Sequence, residues 1–214
     1  MIVVFSNAAG ELDFIILTSV QYCMARVTGQ VAAYSPTLKF QDNELALIGH
    51  GSPGQIEGIA ASVIADHLTD QTRGVTYLSK LIITSCYAGL PVNGVAGTAV
   101  IDVIAARFRK DAMCKGLKIA GATGPSIKAN SLGAHFKVVD GSGYDFASAA
   151  QSFLKTQHEQ LPDHTTSFGN SFQMQIAAGA AEMTSRKFYS QFVSLLEANG
   201  ALMADNFAMR EVVV

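Results

Sequence analysis

The chain has 214 residues, 49% of them hydrophobic and 15% charged, with 17 acidic against 15 basic side chains and 19 glycines. That balance suits a folded globular protein and argues against disorder, and a formal charge of −2 gives no whole-chain attraction to a phosphate backbone or an anionic lipid surface. The longest apolar runs fall well short of the ~20 residues that span a bilayer, and the opening "MIVVFSNAAG" lacks the basic region of a secretory signal. The expectation is a soluble protein of a cytoplasmic, reducing compartment, with neither nucleic acid nor membrane as a partner.

In chain order, "IVVF" (2–5) reads as a β-branched strand, and residues 11–26 place apolar side chains three and four apart, as an amphipathic helix does. "NELALIG" (43–49) is apolar on both faces, as a buried strand of a parallel sheet must be. A helical spacing follows at 56–70, a second buried strand at "KLIIT" (80–84), a third helix at 98–110 and a further strand at "LKIAGAT" (117–123). "HFKVVDGSGYDF" suggests a short strand and a glycine-rich turn, with helical patterns at 144–160 and 186–199. Between those two, "LPDHTTSFGNS" (161–171) has the composition of a linker. Alternating strands and helices predict an α/β protein, a mostly parallel central sheet flanked by helices. The expected organisation is an α/β domain over 1–160 and a helical C-terminal region, 161–214, packed on it.

Two strand ends carry the chemistry. "LALIGHGSPG" (46–55) puts His50 between two glycines after an apolar run, and "KLIITSCYAG" (80–89) repeats the design with Cys86 in the histidine's place. Ligands and reactions collect at the C-terminal edges of parallel strands. If the strands are neighbours, their ends lie about 5 Å apart. A thiolate is a nucleophile, and an adjacent imidazole can hold its proton and deliver it to a leaving amine. Gly51 lets the backbone turn and approach a substrate, so its N–H and that of Cys86 can bind an oxyanion; Gly89 and Pro53–Gly54 would leave room for an extended peptide. A lone histidine after a strand usually bonds a loop, and a lone cysteine is usually an inert core residue. It is the pair, in order, that points to catalysis.

These two blocks, with a helix between them, resemble the clan CD cysteine peptidases of caspase-like fold, and most closely the autoprocessing cysteine protease domains of large bacterial toxins. "LKIAGATGPSIKANSLGAHFKVV" (117–139) is similar to the toxin domains' strand and hairpin beside the cleft. The resemblance covers residues 43 to 140. It implies a caspase-like three-layer sandwich, a His50–Cys86 dyad cleaving a protein or peptide substrate through an acyl-enzyme, and a bacterial effector or toxin-like role. The separation of 36 positions from His50 to Cys86 is shorter than the ~50 of caspases, and the Gln-Ala-Cys context is absent, so aspartate specificity is not implied. The toxin domains answer to inositol hexakisphosphate on a basic patch; Lys115, Lys118, Lys128 and Lys137 are too scattered to carry that ligand over. A third catalytic acid upstream of the histidine would be Glu11 or Asp13.

The remaining candidates have plainer readings. Cys23 and Cys114 are core or surface bystanders, and an odd, sparse set of three cysteines has no disulfide framework. His158 and His164 match no zinc spacing, so no metal or other cofactor is expected. His67 and His135 read as surface or satisfied polar residues and "NGVAGT" (93–98) as a cleft loop without the Lys-Ser/Thr of a phosphate loop, while Asp140 and Asp145 fit equally a pocket for a basic residue or the turn chemistry of "DGSGYD". Two other uses of the scaffold stay open: a non-catalytic binding or adaptor module, and an acyl transfer such as deamidation or transpeptidation with the same dyad.

Overall fold

The computed structural model of the chain describes residues 1–6, 14–124, 126–129, 134–137, 202–203 and 209–214. Strand β1 (Ile2–Val4) leads to helix α1 (Phe14–Met24) and strand β2 (Val31–Ala33), and β3 (Glu44–Ile48) follows. Three two-residue strands, β4 (Gly51–Ser52), β5 (Gln55–Ile56) and β6 (Ile59–Ala60), then form a small antiparallel meander before helix α2 (Ala61–Leu68). Strand β7 (Lys80–Ile83), helix α3 (Val100–Lys110) and strand β8 (Lys118–Ala122) complete the α/β alternation.

Beyond them, β9 (Ser126–Ala129) and β10 (Ala134–Lys137) pair antiparallel, with β11 (Leu202–Met203) against β10, and β12 (Met209–Val213) ends the chain. The strand and hairpin expected over 117–139 are present.

The central sheet has six strands in the order β12-β8-β7-β3-β1-β2, all parallel except β12, which runs antiparallel to β8. The chain crosses from β2 on one side of β1 to β3 on the other, so the sheet has a topological switch point there, and chemistry in such sheets gathers outside the carboxyl ends of the strands near it.

Strand residues alternate between two cores, as a period of two requires. Val3, Phe5, Leu45, Leu47, Leu81 and Ile83 pack with Ile64 and Leu68 of α2 and Ile101, Ile104 and Phe108 of α3. Ile2, Val4, Ala46 and Ile48 pack instead with Ile16, Val20 and Cys23 of α1. Helices thus cover both faces, which is why these strands are apolar throughout.

Two expectations are corrected. The helix expected over 56–70 begins only at Ala61, because Pro53–Gly54 and Glu57–Gly58 each make a tight two-residue turn; Ile56 and Ile59, whose spacing of three mimics a helix, face each other across a hairpin instead. The C-terminal region is not helical to its end: the β-branched run "REVVV" supplies β12, so the sheet takes its last strand from within 161–214. The helical patterns at 144–160 and 186–199 and the linker at 161–171 lie outside the described residues. Among the described residues no helix is long and apolar enough to cross a membrane.

Candidate active site

His50 follows β3 and Cys86 follows β7, and these strands are hydrogen-bonded neighbours. They pair with a constant offset of 36 residues, Glu44 with Lys80 through Leu47 with Ile83, and 86 − 50 is also 36. The ladder closes with the Thr84 N–H donating to the Leu47 carbonyl at 3.0 Å. His50 and Cys86 each lie three residues past the last registered pair, Leu47 with Ile83, beyond the carboxyl ends of adjacent strands that run about 5 Å apart. His50 is exposed and Cys86 half-buried, whereas Ser85 beside it is fully buried.

The glycines around His50 have steric rather than conformational reasons. Neither Gly49 nor Gly51 has a positive φ. A Cβ at Gly51 would overlap Ser85 Oγ and the carbonyl oxygen of Cys86, so the backbone after His50 lies directly against the Cys86 peptide. A Cβ at Gly49 would sit 2.6 Å from Ile56 Cγ2 and 3.1 Å from Glu57 Cγ. Removing both side chains lets the β4–β6 meander fold back over the strand end on one side and lets the cysteine loop close in on the other. This replaces the expected role of Gly51 in a sharp turn. The Glu57 N–H donates to the His50 carbonyl at 2.7 Å, which makes Gly51 and Ile56 a non-hydrogen-bonded pair of the ladder and leaves the Gly51 N–H outside β4–β5 pairing.

Gly89 has a different job from the one expected of it. It is buried, and a Cβ there would overlap the carbonyl oxygen of Gly121, so this glycine packs the cysteine loop onto β8 rather than opening it to a peptide. The loop is tied further by Tyr87 N–H to Gly124 O at 3.2 Å, Gly89 N–H to Ala122 O at 2.8 Å and Ile101 N–H to Ala88 O at 3.1 Å. From the last strand, Arg210 forms a two-pronged ion pair with Asp102 of α3 at 2.8 and 2.5 Å and also donates to the Gly89 carbonyl at 3.3 Å. That pairing raises the Arg210 guanidinium pKa above its ordinary value. The 93–98 loop closes on itself, Thr98 Oγ1 accepting from Val92 N–H at 2.8 Å and donating to the Val95 carbonyl at 2.6 Å.

Two features were missed in the sequence. Glu57 and Tyr87 both have left-handed φ, 48° and 57°, which is costly for residues with side chains and tends to collect at functional sites. Tyr87 turns the chain immediately after Cys86. Glu57 accepts a hydrogen bond at 2.8 Å from the His50 N–H. No motif announces either, although a Glu-Gly dipeptide between short apolar stretches is a turn signal.

The other candidates fall away from this edge. Cys23 and Cys114 are buried, and burial pushes the Cys114 thiol pKa up while its sulfur accepts the Leu78 N–H at 3.2 Å. His67 is a satisfied core residue, bonded through Nε2 to the Leu38 carbonyl at 2.8 Å and packed between Tyr34 and Phe40. Lys118 is exposed and pairs with Glu211. Glu11, Asp13, Asp140, Asp145, His158 and His164 lie outside the described residues. Among the described residues no group of three His, Cys, Asp or Glu side chains is placed to hold a metal ion. The chain matches no known protein-family model and no curated protein.

Proposed function

We propose that this chain is a cysteine endopeptidase of caspase-like fold with His50 and Cys86 as its dyad. The observation that supports the reading is that His50, exposed, and Cys86, half-buried, follow the carboxyl ends of paired parallel strands beside the switch point, with a spacing equal to the strands' register offset of 36. The six-stranded sheet with helices on both faces, and the hairpin after β8, support the fold.

In the reaction, the Cys86 thiolate attacks the scissile carbonyl carbon while the imidazolium of His50 holds the proton. The Gly51 N–H faces the developing oxyanion. Collapse of the tetrahedral species breaks the C–N bond as His50 gives its proton to the departing amine. Water then attacks the thioester, His50 takes a proton from it, and the acid product leaves with the thiol restored.

The test is covalent labelling by a panel of peptidyl acyloxymethyl ketones, read by intact mass and peptide mapping. A single adduct on Cys86, lost in Cys86→Ala with the fold unchanged, is expected. No adduct across the panel, or an adduct that persists in Cys86→Ala, would remove the reading.

A further inference from the structure

Glu57 occupies a position where its own backbone disfavours it. The hairpin between β5 and β6 closes through Glu57 and Gly58 alone, with φ of 48° and 74°, the two left-handed residues of a type I′ turn. Asn, Asp and Gly suit the first of these positions; a long side chain does not.

What the glutamate gains is contact with the histidine segment. Its Oε1 accepts the His50 N–H at 2.8 Å, and its own N–H donates to the His50 carbonyl at 2.7 Å, so both polar groups of the His50 backbone are held by one residue seven positions on. Gly49 supports the arrangement, since a Cβ there would crowd Glu57 Cγ at 3.1 Å. Local strain together with a specific hold on a functional segment is the pattern expected of a residue kept for the site rather than for the turn.

We propose that Glu57 is a positioning residue that clamps the backbone of His50 and so fixes its imidazole relative to Cys86. This rests on the dyad reading above. It differs from a structural role in one respect: relieving the turn should strengthen the fold while weakening the site.

The test compares Glu57→Asn, which suits the turn but is one methylene too short to keep the contact, with Glu57→Gln, which keeps an oxygen acceptor at the same reach. Thermal melting, hydrogen exchange at the His50 amide and the rate of labelling by an acyloxymethyl ketone are read for each. Glu57→Asn is expected to melt at or above the parent temperature, to lose His50 amide protection at least about 10-fold, and to label about 10-fold or more slowly. Glu57→Gln should keep protection and labelling within about 3-fold of the parent.

Parent-like protection and labelling in Glu57→Asn would overturn the proposal, as would equal loss of melting temperature in both variants. Should the parent itself resist the ketones, the peptidase reading fails, while amide exchange in the two variants still decides whether Glu57 holds His50.

Discussion

Gly51→Ala is the sharpest perturbation of the candidate site. The added methyl would overlap Ser85 Oγ and the Cys86 carbonyl oxygen, and because the second of these is backbone it cannot be relieved by a rotamer change. Forcing a methyl into such a contact costs about 1–3 kcal/mol. Gly51 has no positive φ, so the alanine also gains roughly 0.4–1 kcal/mol by restricting the unfolded chain. The net loss is therefore between about 0 and 2.6 kcal/mol, a fall in melting temperature of up to about 10 °C for a chain of this size. The rate should suffer far more, because shifting a reacting group by about 1 Å costs on the order of 100-fold.

Gly116→Ala is the control. Its φ of +83° makes alanine strained, but nothing lies within 4 Å of the new methyl, so it should cost a similar ~1–2 kcal/mol and leave the site untouched. Differential scanning fluorimetry and ketone-labelling rates on the two variants separate the effects. Parent-like labelling in Gly51→Ala, or equal losses of labelling in both variants, would refute the steric argument.

Two further outcomes are expected. Arg210→Met strips the bidentate partner from Asp102, whose side chain is 10% exposed, and should cost about 1.5–3 kcal/mol in denaturant melts, with most of it recovered when Asp102 is also replaced by leucine. Asp70 takes hydrogen bonds from the Arg73 guanidinium and from Thr72, which hold its carboxyl well below the usual range. A depressed folded-state value adds stability above the ordinary carboxylate pKa and loses it as pH falls toward the folded one, so Asp70→Asn should flatten the decline in stability below about pH 4; an unchanged acid limb would contradict this.

The strands that build the sheet were legible because they are buried on both faces. "IVVF", "LALIG" and "LIIT" leave no polar alternation, and the structure sandwiches them between α1 and the α2–α3 pair. The pairing of the two strands that His50 and Cys86 follow was also within reach, since the two motifs have the same build and their spacing equals the register of those strands. The β4–β6 meander was not legible, because Ile56 and Ile59 fit a helix as well as a hairpin and only the turns at Gly54 and Gly58 decide between them. The reasons for Gly49, Gly51 and Gly89 were hidden too. Each answers to an atom distant in sequence or across a turn, and a glycine needed for close approach looks no different from one needed for a turn. Glu57 escaped notice because its carboxylate acts on a backbone N–H, which leaves no pattern of residue types.

The proposed chemistry depends on His50 and Cys86 acting on each other. The most direct measurement is the iodoacetamide alkylation rate of Cys86 near pH 7, followed by peptide mapping in the folded parent, in His50→Ala and in the urea-unfolded chain. A coupled pair predicts that folded Cys86 reacts faster than the same thiol unfolded, that Cys23 and Cys114 stay unmodified in the folded protein, and that His50→Ala abolishes the advantage. A Cys86 rate that is indifferent to His50 would contradict the account.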